Sequence, residues 1–330
     1  MKTLLTEKQY KVNMHAHTTV SDGCLSPEQV KQHYKAAGYH AVAFTDHEVL
    51  VPHNELTDEG FVALNGYEYA VFREKGGPCY HMNLICRTPH VRRQVMFAPE
   101  SVRGNAKNYV PSVAFVGEFE RPEYSVSFIN RLTREAHANG YLVQYNHPVW
   151  SLQSYPDYAG LEGVDLLEII NCGDTRGPLA DRDDRVYTDF LTLGKFPMLT
   201  AGDDNHNAEP HDSPYTDAFR GFTMLCAEHL SYEDLIFALE RGSGYASEGP
   251  IIRSLACHDG VLYGEISSAR TLRVQGAGRR GCTIVADSKE TPLTRFRVPY
   301  DASFGYLRLT VEDFEGKRAY TRAYKMEEVL

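Results

Sequence analysis

The sequence predicts an α/β barrel followed by a small all-β unit, and three observations carry that prediction. From residue 10 to about residue 242, apolar runs of strand length alternate with helical stretches that carry recognisable caps. The alternation supplies roughly seven or eight strands at short spacing, which favours a closed barrel over an open sheet. After Gly249-Pro250 the pattern changes to short alternating segments separated by Gly or Asp, as in a small sandwich. With 330 residues the chain has room for two domains, read here as 1–250 and 251–330.

Each element has a local signature. YKVNMH (10–15) reads as a strand. Ser26 then supplies an N-cap, Pro27 the first helical position and Gln29 the return half of a capping box, and the helix stops near Gly38. Strand-like runs follow at 41–45, 61–69 and 81–86. Residues 88–124 hold Pro89, Pro99, Pro111 and Pro122 and keep no period, which predicts an inserted loop or lid of the kind usually reserved for function. Ser125 or Ser127 caps a helix that runs to Gly140, and YLVQYNH and LLEIIN (166–171) are strands. A helix over 179–193 ends at Gly194, FPMLTAGDD is a strand, 218–227 is strand-like, and a helix begins at Ser231 and ends at Gly242. Beyond Pro250, VLYGEISS, TLRVQG, CTIVAD, TRFRVPY, YLRLTVEDF and KRAYTRAY are strands, and FEGK marks a hairpin.

Composition narrows the function. Hydrophobic residues make up 42% and charged residues 24%, enough for a sizeable core and too little bias for disorder. No run of about eighteen apolar residues occurs, and MKTLLTEKQYKV has only a short apolar stretch, so neither a membrane span nor a secretory signal is expected. The 34 basic and 44 acidic side chains leave a net charge of −10, which disfavours long nucleic acid as a partner. Seven scattered cysteines without CxxC spacing suit a reducing, cytoplasmic setting.

The 14 histidines carry the functional argument, because several stand beside Asp or Glu at predicted strand ends. His15 and His17 are two apart on an extended chain and share a face, with Asp22 five residues on. An isolated pair of this kind is most often merely solvated. This one has company: His47 follows the second strand, Glu68 ends the third, His147 ends YLVQYNH, and Asp204 and His206 end a later strand. In a parallel barrel these ends converge on one mouth, and so many ionisable groups there call for a compensating cation. His81 begins its run instead of ending it, which suggests a reversed strand. Imidazole and carboxylate without thiolate suit Zn, Mn or Fe better than Ca or Mg.

Taken together, HAHTTVSDG, TDH, GYE, His81, NHP and GDDNH resemble the polymerase and histidinol phosphatase (PHP) family over about residues 10 to 250. The resemblance implies a distorted seven-stranded (β/α)7 barrel with two to three divalent transition metals at its mouth. By that resemblance His15, His17, Glu68 and Asp204 hold one ion, Glu68, His81 and His147 a second, and Asp22, His47 and His206 a third. Glu68 and Asp204 would then flank a hydroxide bridging two cations, a nucleophile at neutral pH. Three such cations outweigh the three carboxylates and the hydroxide, so the pocket would attract a compact phosphate on an acidic protein. The resemblance therefore implies a phosphoesterase acting on a small phosphomonoester such as a nucleotide or sugar phosphate. SEGPI (247–251) and the β unit behind it resemble a branch that includes hydrolases of carbamate, ester and amide bonds, which is the second reading, and a PHP nuclease module is a third. Arg176, Trp150 and His211 are weaker candidates for contacts to substrate. The oligomeric state is not legible.

Overall fold

The structure is a computed structural model that describes residues 1–179 and 182–330. β1 (Lys2–Leu5) leads to β2 (Gln9–Ala16), and α1 (Pro27–Ala36) starts on the Ser26 cap with Gln29 closing the box. β3 (Ala41–Phe44), β4 (Val62–Phe72) and β5 (Cys79–Cys86) follow with no α-helix between them, so the strict strand-helix alternation fails here. The insertion predicted over 88–124 contains only two three-residue strands, β6 (Arg93–Val95) and β7 (Ala114–Val116), and short 3₁₀ turns. Ser125, not Ser127, caps α2 (Val126–Ala138), and β8 (Tyr141–Tyr145) follows. Then come α3 (Tyr155–Tyr158), β9 (Leu166–Asn171), α4 (Asp184–Thr192), β10 (Met198–Gly202), β11 (Phe222–Cys226), α5 (Tyr232–Arg241) and β12 (Gly244–Ser247). The helix expected from residue 179 begins at Asp184, and residues 180 and 181 of that expectation lie outside the described residues.

Seven strands position the site. They lie in the order β10-β9-β8-β5-β4-β3-β2, and the two outer strands approach each other just past their ends. There Asp204 N donates to His15 O (3.0 Å), His17 N donates to Asn205 O (3.1 Å), and Ala16 and Asn205 form a parallel bridge. β5 is antiparallel to both β4 and β8, while β2-β3-β4 and β8-β9-β10 are parallel. The reversal explains His81: the start of β5 shares one end of the sheet with the finishing ends of its neighbours. β3, β5, β8, β9 and β10 are buried along their whole length, which is why they read as unbroken apolar runs.

The later strands are β13 (Ile252–His258), β14 (Val261–Ala269), β15 (Thr271–Gln275), β16 (Gly281–Val285), β17 (Leu293–Pro299), β18 (Tyr306–Glu312), β19 (Arg318–Thr321) and β20 (Tyr324–Lys325), with α6 (Met326–Val329) last. FEGK lies in the turn between β18 and β19, where Gly316 adopts a left-handed φ of 82°. Two sheets share these strands. One continues without a break from β2 through β11, β12, β19, β18, β15 and β16; the other is β1-β13-β14-β17. Leu5, Tyr245, Leu255, Leu272 and Leu309 belong to one apolar cluster that joins the two. Among the described residues no helix is long and apolar enough to cross a membrane.

Because β1 pairs with β13 and β12 pairs with β19, a chain ending at Gly249 loses both partners and uncovers Leu5 and Tyr245, each 0% exposed in the whole protein. Such a chain is expected to aggregate or to lose its cooperative thermal transition. Size-exclusion chromatography with calorimetry checks this, and a monodisperse fragment with an unchanged Tm would contradict it.

Candidate metal centre

The strand ends bring nine side chains into one cluster. His15 and His17 lie at the end of β2 and are both completely buried. His47 follows β3 and bridges to Glu68 of β4, His81 comes from the reversed β5, His147 follows β8, and Asp204 and His206 follow β10. Glu68 Oε1 stands 3.3 Å from His15 Nε2, 3.0 Å from His81 Nδ1 and 3.5 Å from His147 Nε2. Its Oε2 stands 3.4 Å from His17 Nε2 and 3.1 Å from His47 Nδ1. Asp204 Oδ1 is 3.3 Å from His15 Nε2 and 3.0 Å from His17 Nε2, and its Oδ2 is 3.7 Å from His147 Nε2. Asp22 reaches His17 Nδ1 at 3.6 Å, His47 Nε2 at 3.7 Å and His206 Nε2 at 3.5 Å.

Donor atoms fall into groups lying within 4.8 Å of one another. His15, His17, Glu68 and Asp204 form one group, and Glu68, His81 and His147 another. A third holds Asp22, His47 and His206 as the resemblance implies, with His17 joining it. The donor chemistry fits cations. The Nε2 atoms of His81 and His147 are buried and make no close hydrogen bond among the described residues; that of His147 faces Glu68 and Asp204 at 3.5 and 3.7 Å, the placement of a donor facing carboxylates across a cation site. Mixed imidazole and carboxylate donors of this number suit transition metals.

The electrostatics point the same way. Burial works against a charge on Glu68, but His81, His15 and His47 around it hold the carboxyl well below the usual range. Asp204 is likewise driven down, against its burial, by His15, His17 and His147. Burial opposes a charge on His17 too, yet hydrogen bonds to Asp204 and Glu68 raise it to about 10. His47 moves the other way, to about 3, because burial outweighs the pull of Glu68 and His17 lies beside it. The cluster thus holds protons where two carboxylates need positive charge, and a cation can replace them.

Further residues fix these side chains. Glu168, completely buried in β9, accepts from or pairs with His15 Nδ1 at 3.0 Å, which turns His15 Nε2 toward the cluster. Asn171 Nδ2 donates to both Glu168 Oε2 (3.0 Å) and Asp204 Oδ2 (3.1 Å). The adjacent aspartates of GDDNH divide their work: Asp203 accepts from the backbone of Phe219, Arg220 and Gly221, while Asp204 faces the histidines. Asp46 accepts from the backbone N–H and hydroxyl of both Thr18 and Ser21, which folds HAHTTVS back on itself. Non-glycine residues adopt left-handed φ at Glu48 (63°), His147 (27°) and Asp204 (48°), a concentration of backbone strain at one site. Gly202 has no room for a side chain, since a Cβ there would stand 2.5 Å from both Glu168 Oε1 and His15 Cβ.

The outer group faces a cavity of about 600 Å³. Phe72, Trp150 and Glu48 line it, and the insertion adds Ser101, Arg103, Gly104, Arg121 and Pro122 as a wall. Burial pushes the Glu48 carboxyl up to about 8, so at neutral pH it offers a proton to the cavity. Of the three weaker candidates only Trp150 lines this space. Arg176 instead pairs with Glu209 at 2.7 Å and lies over the Tyr215 ring, and His211 packs edge-on against His33 and Phe219. A larger cavity of about 750 Å³ includes Asp165 and Pro197, which precede β9 and β10, and holds none of the clustered histidines. Of its three arginines, Arg87 and Arg322 are paired with Glu240 and Glu328 and Arg241 lies over the Phe237 ring, so size does not mark it as the reactive site. Glu168, Asn171, Glu48, Phe72, Arg103 and Arg121 escaped the sequence reading. Only Glu168 left a clear signal, a lone charge inside the apolar LLEIIN strand.

No family model and no curated protein matches the sequence. The fold matches a two-domain protein from Bacteroides vulgatus described as containing a predicted PHP-like metal-dependent phosphoesterase, with a TM-score of 0.50, 16% identity, and coverage of 96% of this chain and 95% of that one. Two further structures overlap the chain less fully. One is a candidate metal-dependent phosphoesterase from Bifidobacterium adolescentis (TM-score 0.39, 15% identity, 61% of this chain, 90% of that one). The other is an amidohydrolase from Chromobacterium violaceum with bound sulfate and no metal (TM-score 0.38, 15% identity, 59% of this chain, 87% of that one). The chain has a PHP-like fold.

Two outcomes follow from this geometry. Glu168→Gln, which weakens the hold on His15, is expected to lower affinity for the ion nearest His15 by about 10- to 100-fold without unfolding the chain; competitive chelator titration measures it, and unchanged affinity would show that His15 needs no orienting partner. Since the carboxylates keep His17 protonated at pH 7, metal uptake there should release protons and tighten as pH rises toward about 10. Calorimetry in buffers of different ionisation enthalpy reads that release, and zero net release at pH 7 would contradict it.

Proposed function

We propose that this protein is a metal-dependent hydrolase that cleaves a small phosphomonoester, such as a nucleotide or sugar phosphate. The observation that supports it is the outer donor group. Asp22 is 49% exposed, His206 34% and His47 25%, whereas the His15, His81 and His147 side chains are buried. Asp22, His47 and His206 line the cavity and would hold a third ion, which would supply positive charge to an anionic substrate group. Two to three Mn, Zn or Fe ions would supply a water of lowered pKa and Lewis-acid stabilisation of developing negative charge.

The chain's own residues do the rest. Glu68 and Asp204 each face histidines of more than one donor group, Glu68 with His15, His17, His47, His81 and His147 and Asp204 with His15, His17 and His147, and so would be shared between ions held there. Glu168 holds His15, Asn171 Nδ2 donates to Asp204 and Asn146 Nδ2 donates to Glu68 Oε1 (2.8 Å), which keep these side chains from turning. Burial of the inner half keeps the medium of low polarity, which strengthens electrostatic stabilisation. The net charge of −10 disfavours long polyanions and leaves compact ones as the substrates this site serves. Acyl hydrolysis of carbamates or esters uses the same donors but gains least from the outer group.

A panel of phosphomonoesters, phosphodiesters, carbamates and esters, with Mn, Zn and Fe supplied separately, tests the reading. Phosphomonoester turnover should dominate, chelation should abolish it, and inorganic phosphate should inhibit competitively. Carbamate or ester turnover well above any phosphoester, with no inhibition by phosphate, replaces this reading with acyl hydrolysis. Asp22→Ala should lower kcat/KM by roughly 10²-fold, the scale of losing one stabiliser of transition-state charge, with little change in Tm because Asp22 is half exposed. A large fall in Tm with intact specific activity would remove Asp22 from the reaction.

A further inference from the structure

The mouth of the cavity has an aromatic side that the metal cluster does not account for. Phe72 and Trp150 are 45% and 37% exposed, yet both line the cavity. Their rings stand 5.6 and 5.7 Å from the His81 ring, and Trp150 also meets His147 edge-on at 5.0 Å. Two large rings are therefore left in water beside the donor group of Glu68, His81 and His147. The insertion lays two cations against the same mouth. The Arg103 guanidinium lies 5.3 Å from the Phe72 ring centroid, and Arg121 lines the wall. Among the described residues neither arginine has a carboxylate within ion-pair distance, in contrast to Arg87, Arg176 and Arg322.

Flat rings gain most from another flat ring, offset or edge-on, and a guanidinium with no salt-bridged carboxylate attracts an anion, Arg103 sensing the Glu48 carboxyl of the same cavity without pairing to it. We infer that the non-reacting part of the substrate is a flat aromatic group seated against Trp150 and Phe72, with Arg103 and Arg121 drawing the anion to the same mouth. The inference rests on the phosphoester reading for the identity of the anion, and it selects aromatic phosphates, nucleotides included, over sugar phosphates.

Trp150 is the one tryptophan of the chain, so its fluorescence reports binding without any turnover. The full, Zn-loaded chain is titrated with benzylphosphonate, cyclohexylmethylphosphonate and methylphosphonate, whose carbon–phosphorus bonds ester hydrolysis cannot cut. Benzylphosphonate is expected to bind about three- to tenfold more tightly than its saturated counterpart, the size of one aromatic pairing. Phe72→Ala, and Phe72→Leu as a size-conserving control, should reduce that preference. Arg103→Gln with Arg121→Gln should weaken all three phosphonates together. Equal affinity for the flat and saturated rings overturns the aromatic seat, and unchanged affinity in the double arginine variant overturns the role of the insertion. The two readings fail separately: tight benzylphosphonate binding with no hydrolysis of aryl phosphates sinks the phosphoesterase alone, whereas equal hydrolysis of aryl and sugar phosphates with no ring preference sinks this inference alone.

Discussion

Glu68 is 1% exposed, and imidazole nitrogens of His15, His17, His47, His81 and His147 stand between 3.0 and 3.5 Å from its two oxygens. A carboxylate buried this deeply costs several kcal/mol unless positive charge surrounds it. Meeting that demand requires histidines from β2, from the segments after β3 and β8, and from β5 to arrive at one point. The reversal of β5 serves the same end. In its pairing with β4, His81 lies opposite Ala70, two residues along from Glu68, so His81 and Glu68 point to one face of the sheet.

Supporting carboxylates extend the pattern outward. Asp46, Asp203 and Glu168 are all buried: Asp46 and Glu168 accept from or pair with the segment that carries His15 and His17, while Asp203, next to Asp204, ties its own strand end to the backbone of residues 219–221. These carboxylates are themselves hydrogen-bonded, and satisfied buried networks of this kind restrict side-chain rotation. Left-handed φ at His147 and Asp204 places backbone strain within this layer.

The clustered histidines were legible because a polar side chain at the end of an apolar run has few structural uses, and several such ends together have fewer. The reversed strand was legible from one displaced residue, His81. Arg176 was a weak candidate because chain distance from a strand end does not tell which way a loop folds, and this loop turns it toward Glu209. Arg103 and Arg121 left no trace, since the insertion follows no period and its proline-rich composition resembles any long connection. Nor did KTLL (residues 2 to 5) announce its partner, because four residues without a period of two fit many sheet edges. Its pairing with β13 is a property of the whole sheet.

That pairing places a requirement on how the protein is made. Leu5 pairs with Leu255, so roughly 250 residues separate the first strand from its neighbour. At ribosomal speeds of about 5 to 20 residues per second, the amino-terminal strand waits roughly 12 to 50 seconds for that partner to emerge. His15 lacks Asp204 for most of the same interval. During synthesis the nascent chain thus carries an open strand edge and, until Asp204 emerges, His15 without that carboxylate beside it.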